Sequence, residues 1–472
     1  MNTLLEAQTA APRQAWWEDR RIIWAFWLLA GVLLIGLIGD IPLERKQEAR
    51  VLQVAREMLE DWHKWLIPHI NGQVRLRKPP LAYWLAALSF KTFGVSVWAG
   101  RLPMAFLGWL TIGLTYQICR SILNARAALF AAGCLTGCYL FYRYGQAAET
   151  DIVTTFFLTA GVYAIWQGLQ AQRWWHIFAW YHASAIAIGL AALGKGPPAG
   201  LALLLFIAWA CAERHWKALG DYLKSGALIT LIIVAVPWFL YAMRAGGSSV
   251  MQEEVTVLVA GADHPAPFWQ YFPFLIKMTL PWTGLFILSI VAAIPHYKCN
   301  RQVRTLLIWA TVFFVPFMLI RQKQEHYLLP LMPAIMAIIG WMLDRALTGD
   351  DPPLTRAVKW VVLLTAIAGL GISATPIVAG HVVRGWVTGF DIAMSIALVL
   401  LMALVLLMYY RKGLATAVYT LLFAGTLATT LLLGLWTHTL EPINTHDVAR
   451  DLRQRFGAGP YAFLGEESAT LN

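Results

Sequence analysis

The chain has 472 residues, 59% of them hydrophobic and only 13% charged, with a formal net charge of +11. That balance excludes an ordinary soluble domain and fits a polytopic membrane protein, because apolar runs of about twenty residues recur along its length. The positive charge suits an anionic lipid surface and is no argument for nucleic acid.

In chain order, apolar helices are predicted near 22–39, 101–119, 125–142, 150–168, 175–194, 197–212, 226–243, 268–294, 304–320, 326–343, 357–379, 391–410 and 413–436. Thirteen spans place the termini on opposite sides. The expected organisation is a cytoplasmic N-terminus at 1–21, a transmembrane domain at 22–436 with a large first loop at 40–100, and an extracytoplasmic tail at 437–472. The first run follows Arg20 and Arg21 without a small-residue cleavage site, so it reads as a retained span. The tail reads as a short amphipathic helix and the start of a strand, too few residues to bury a core, consistent with a vestigial or truncated domain.

Short loops carrying Arg120, Arg126, Arg173, Arg214, Lys217, Lys224, Lys298, Arg301, Arg304, Arg345, Arg356, Lys359, Arg411 and Lys412 fall on one side, which the positive-inside rule makes cytoplasmic. The first loop breaks this pattern with Arg45, Lys46, Arg50, Arg56, Lys64, Arg75, Arg77 and Lys78. Two readings fit it. Val51, Val54, Ala55, Met58 and Leu59 have helical spacing, so residues 47–60 are expected to form an amphipathic helix lying on the membrane with its cations toward headgroups. The R-L-R-K-P-P run points elsewhere: two prolines fix the backbone after Lys78 and hold its ammonium in place, as an anion site needs.

Other polar groups cluster at span ends on the same face. Glu149 and Asp151 open the fourth span, Lys195 closes the fifth, and Glu253, Glu254, Asp263 and His264 follow the seventh. Arg321, Lys323, Glu325, His326 and Tyr327 precede the tenth, where Arg321 and Lys323 could meet a phosphate from the side opposite Lys78. Cations beside carboxylates suggest group transfer from a phosphate-linked donor, one carboxylate taking a proton. No strand–G-x-G-x-x-G–helix or Walker pattern is found. The five cysteines lie in or beside spans without disulfide or metal spacing. The 23 tryptophans fit interface belts, and Trp62, Trp65, Trp84 and Trp98 stand where donor lipid or sugar could be touched.

The order E-A-R-x-x-x-x-A-R-E-M-L, W-L-x-P-x-x-N-G, K-P-P-L-x-Y-W, A-G-R-L-P, E-T-D, G-K-G-P, H-x-x-P-F-W and Y-x-L-P-L-x-P, over roughly residues 40–335, resembles the aminoarabinose transferase and protein O-mannosyltransferase group of GT-C glycosyltransferases. The resemblance implies an all-α polytopic fold of about thirteen membrane helices with amphipathic extracytoplasmic loop helices. It also implies a polyprenyl-monophosphate sugar donor and inverting transfer to a glycolipid, glycan or protein hydroxyl. The active site would face the exterior of a bacterial inner membrane. Residue by residue, Lys78 matches the group's phosphate-contacting lysine, Tyr327 the tyrosine before L-P-L-x-P, Asp151 the acidic residue opening the fourth span, and Lys195 a site-organising cation.

Two departures follow. Gln47 stands where the group's D-E-x-R motif has its favoured aspartate, which leaves Glu48, Asp151, Glu149 or Asp40 as base, Glu48 being favoured. Arg77 replaces the glutamate before K-P-P, which weakens a divalent-metal site shared with His264; Arg50, Arg77 and His264 are expected to organise the site. A transporter or flippase for the same lipid is the rival reading. It would favour midplane charges, broken helices and internal repeats, and the sequence shows neither a convincing repeat nor a cluster of ionisable residues inside the spans.

Overall fold

The computed structural model describes residues 16–39, 43, 45–247 and 266–436. The segments at 1–15, 248–265 and 437–472, with Asp40 and Glu44, lie outside the described residues, and with them the calls on His264, the acidic loop after the seventh span and the tail. The described chain is a helical bundle with one small two-stranded hairpin.

Each of the thirteen apolar runs is helical, because a backbone in hydrocarbon must satisfy its own hydrogen bonds. The first half contains α1 (Arg20–Ile35), α2 (Lys46–Glu57), α3 (His63–Leu66), α4 (Leu81–Phe93), α5 (Val97–Ile122), α6 (Ala125–Thr136), α7 (Tyr139–Gly145), α8 (Thr150–Gln170) and α9 (Trp174–Lys195). They are followed by α10 (Gly200–Ala212), α11 (Trp216–Lys224) and α12 (Ala227–Ala242). Further helices include Arg301–Leu319, Met332–Thr348, Pro352–Ile372, Gly389–Lys412 and Leu414–Thr430.

Among the described residues, nine helices are long and apolar enough to cross a membrane, or up to eleven if each of two bent pairs is one span. The protein is multi-pass. The expected run at 125–142 breaks into α6 and α7 at 64°, and the run at 268–294 breaks at 119° between Phe268–Met278 and Thr283–His296. The remaining difference from thirteen comes from α1, only 16 residues long, and the short apolar helix Pro197–Ala212. Such lengths fall below the roughly 20 residues that cross a bilayer untilted.

The first loop departs most from expectation. α2 does form, but its apolar face packs on α4 instead of lying on lipid: Val51, Val54, Ala55 and Met58 are buried, whereas Leu59 is 39% exposed. Leu52 presses against Gly100, where any side chain would collide with it. α4, within the expected loop, is an additional helix capped by the second proline of K-P-P.

Candidate active site

The Asn71-Gly72 turn, with φ of 52° and 74°, closes a hairpin pairing His69–Ile70 with Gln73–Val74, as that dipeptide favours. The Glu57 carboxylate, at the end of α2, accepts from Asn71 N at 2.6 Å and Gly72 N at 3.3 Å, so α2 fixes the turn. Arg75 N donates to Pro68 O at 2.7 Å, and the chain then runs through Arg77 and Lys78 into α4. The opposite edge of the loop is tied to the bundle by Trp238 of α12, whose indole donates to Leu66 O at 3.0 Å.

Lys195 is delivered by a different device. Gly194 lies so close to α8 that a Cβ there would meet Thr154 Oγ1 at 2.6 Å, so the lack of a side chain lets α9 approach α8. Gly196, at φ 78°, then ends α9 in a conformation other residues rarely adopt. Asp151 sits in the first turn of α8, where the helix dipole favours a carboxylate. Tyr327 lies in the short 3₁₀ segment Glu325–Leu331 leading into Met332–Thr348.

These four elements converge. Lys78, Asp151, Lys195 and Tyr327, with Arg77, line one cavity of about 360 Å³. The Lys195 ammonium pairs with Asp151 Oδ1 and lies 4.2 Å over the Tyr327 ring. Apart from Thr154 the rest of the wall is apolar, including Leu201, Trp238, Phe239, Pro316, Phe317 and Ile320. A cationic end joined to a hydrocarbon wall suits an anionic headgroup with a long apolar tail.

Behind Asp151 lies a second layer, built from residues the sequence names but does not pair. Arg45 Nη1 contacts both Glu149 carboxylate oxygens at 3.0 Å, its guanidinium lies 4.4 Å over the Tyr144 ring, and Nη2 is 3.4 Å from His326 Nδ1. His326 Nε2 is 4.0 Å from Asp151 Oδ2. Arg45 and His326 are 281 positions apart, so no local spacing could have paired them. Glu149 is buried just before α8. Burial raises its pKa to about 8, with Arg45 acting in the opposite direction.

Other expected residues are placed differently. Glu48, favoured as base, is 3% exposed and does not line the cavity. Its oxygens accept from Arg101 Nε at 2.7 Å, Arg101 Nη2 at 2.9 Å and Ala148 N at 2.8 Å. That geometry holds α2 against α5 and the approach to α8. Lys323 turns away from the cavity and caps Arg301–Leu319, donating to Phe317 O, Met318 O and Ile320 O at 3.3, 3.1 and 2.6 Å. Arg321 is exposed and Arg50 partly exposed, both outside the cavity lining. Among the described residues no group of three or more His, Cys, Asp or Glu side chains could hold a metal ion.

Residues 77–240 match the family described as dolichyl-phosphate-mannose-protein mannosyltransferase. Similar proteins include undecaprenyl phosphate-α-4-amino-4-deoxy-L-arabinose arabinosyl transferase 2 of Sodalis glossinidius, 31% identical over 63% of this chain and 56% of the relative. The corresponding enzyme of Edwardsiella ictaluri is 26% identical over 76% of this chain and 68% of the relative. The chain thus spans little more than half the length of the first of these relatives. Among solved structures, ArnT from Cupriavidus metallidurans bound to undecaprenyl phosphate superposes with a TM-score of 0.80 at 21% identity, covering 96% of this chain and 84% of that one. The chain has the GT-C fold. The resemblance read from the motif order is borne out. An Archaeoglobus fulgidus oligosaccharyltransferase shares the architecture more distantly, with a TM-score of 0.52 at 13% identity, over 96% of this chain and 62% of that one.

Proposed function

We propose that this protein is an inverting glycosyltransferase that moves a sugar from a polyprenyl-monophosphate donor to a hydroxyl acceptor, at the extracytoplasmic face of a bacterial inner membrane. The observation that carries the reading is the joint placement of Lys78, Lys195, Tyr327 and Asp151, with Arg77, on one cavity whose remaining wall is mostly apolar. The relatives named for undecaprenyl-phosphate sugar transfer support the donor class. The acceptor is a glycolipid such as a lipid A-like molecule, a glycan or a protein hydroxyl.

The chemistry follows from charge. In-line attack at the anomeric carbon leaves a phosphate, whose charge Lys78 and Lys195 neutralise, while Tyr327 supplies a phenolic donor beside them. A carboxylate must take the acceptor proton. Of the candidates, Asp151 lines the cavity, whereas Glu48 is saturated by Arg101 and an amide, and Glu149 is turned to Arg45. We therefore assign the base to Asp151, with Lys195 paired to it and His326 and Arg45 positioning it. Arg77 adds a further cation at the phosphate end.

The test is incubation of the purified protein with a radiolabelled polyprenyl-phosphate sugar and a membrane extract, followed by identification of the labelled product. Label on a new acceptor supports transfer. Label that stays on the polyprenyl lipid while crossing a proteoliposome bilayer would establish the flippase reading instead.

A further inference from the structure

A second concave site lies at the other end of the molecule. The helix Met332–Thr348 connects the two: Pro330, just before it, lines the catalytic cavity, and Gly349, just after it, lines a cavity of about 670 Å³. Its 17 residues span about 25 Å at 1.5 Å per residue, close to a hydrocarbon core thickness. The remote cavity is lined by Thr355, Arg356 and Lys359 from the start of Pro352–Ile372, by Tyr409 and Tyr410 from the end of Gly389–Lys412, and by Gly413 just after it. Arg411 and Lys412 follow in sequence. Lys359 Nζ is 5.5 Å from the Tyr409 ring centre and 5.6 Å from that of Trp360, so the ammonium sits among aromatic faces. The nearby Asp351 carboxylate accepts from Arg345 Nε at 3.2 Å and caps Leu354 N at 3.1 Å, so its charge is already met within the protein.

We infer that this cavity binds the phosphodiester headgroup of an anionic glycerophospholipid, with Arg356 and Lys359 as the phosphate-binding cations and Tyr409 and Tyr410 as hydroxyl donors. Three observations favour a lipid. The cavity lies between two membrane helices at the end of the bundle rich in Arg and Lys, where anionic headgroups gather. Trp360 and Tyr410, 56% and 79% exposed, stand as an interfacial aromatic pair beside it. Apolar side chains such as Leu364 and Leu400 are exposed further along the same two helices and offer acyl chains a surface. The proposal rests on the membrane assignment and not on the transfer chemistry.

The test uses the purified full chain in uncharged detergent, with native mass spectrometry to count bound dioctanoyl phosphatidylglycerol, dioctanoyl phosphatidylcholine and inorganic phosphate. Phosphatidylglycerol is expected to bind in preference to phosphatidylcholine, and Arg356→Gln/Lys359→Gln to weaken it about tenfold or more. Lys217→Gln/Lys224→Gln, which removes two other cations of the same side, is expected to leave binding unchanged. Equal retention of both lipids, or equal loss in both double variants, would overturn the site, and phosphate binding as tightly as the lipid would reassign it to the free anion. Should the double variant not fold, Lys359→Gln alone is measured, with the same reading.

Discussion

Two buried ion pairs lie at the same end of the bundle and differ in what they face. Glu48–Arg101 is closed: neither side chain lines the cavity, and the pair is held by protein groups including Ile38 O and Ala148 N. Asp151–Lys195 is open, because both side chains line a cavity and Lys195 also lies over Tyr327. Both pairs carry the desolvation cost of buried charge, so burial does not distinguish them. The space in front of the charge does.

Replacing the open carboxylate is the largest break. Asp151→Asn is expected to lower turnover roughly 100- to 10,000-fold, the usual contribution of a general base, with donor binding changed far less. A glycosyl-transfer assay alongside binding of a non-transferable donor checks the split. Near-normal turnover would move the base to Glu149.

The closed pair should respond in the opposite currency. Glu48→Gln leaves Arg101 buried beside an uncharged partner and is expected to cost about 3–5 kcal/mol of stability. Turnover per folded molecule should stay within a few-fold of the unmodified protein. Thermal unfolding in detergent with activity normalised to folded protein reads both, and a stable but inactive variant would return Glu48 to the chemistry.

The same contrast explains what could be read from the chain. Apolar runs report helices directly, since hydrocarbon demands internal hydrogen bonding, and all thirteen runs are helical. The bends did not show, because hydropathy is continuous across the breaks after Thr136 and Met278. α4 was hidden inside K-P-P-L-A-Y-W, a stretch read for its motif although its prolines also start a helix. At the site, Lys78, Asp151, Lys195 and Tyr327 do share one cavity, as their motif order implies. Glu48 and Lys323 carried suitable chemistry but are spent on Arg101 and on helix carbonyls. Arg45 and His326 meet only through folding, so spacing held no trace of their pairing.

Cations on either side of that division sharpen it further. Lys78→Ala is expected to weaken donor binding about 10- to 100-fold, as loss of a charge-assisted contact would, while Arg321→Ala, exposed and outside the cavity, should leave it unchanged. Equilibrium binding of a labelled polyprenyl phosphate measures both, and equal losses would show that the whole face attracts the anion without a defined pocket.

The layer behind the open pair responds to pH instead of to charge removal. Glu149 has its folded-state pKa raised from the ordinary 4.5 to about 8, because burial penalises its charged form more than Arg45 rewards it. The native protein therefore holds this proton where the unfolded chain has released it. Its contribution to stability is fully present below pH 4.5 and is lost as the pH rises through about 8. Glu149→Gln removes the titration, so its unfolding temperature should fall less than that of the unmodified protein between pH 5 and pH 8. A parallel decline in the two proteins would mean that Arg45 keeps the carboxylate ionised, and the second layer would then be a fixed ion pair buttressing His326 and Asp151 instead of a neutral acid beside them.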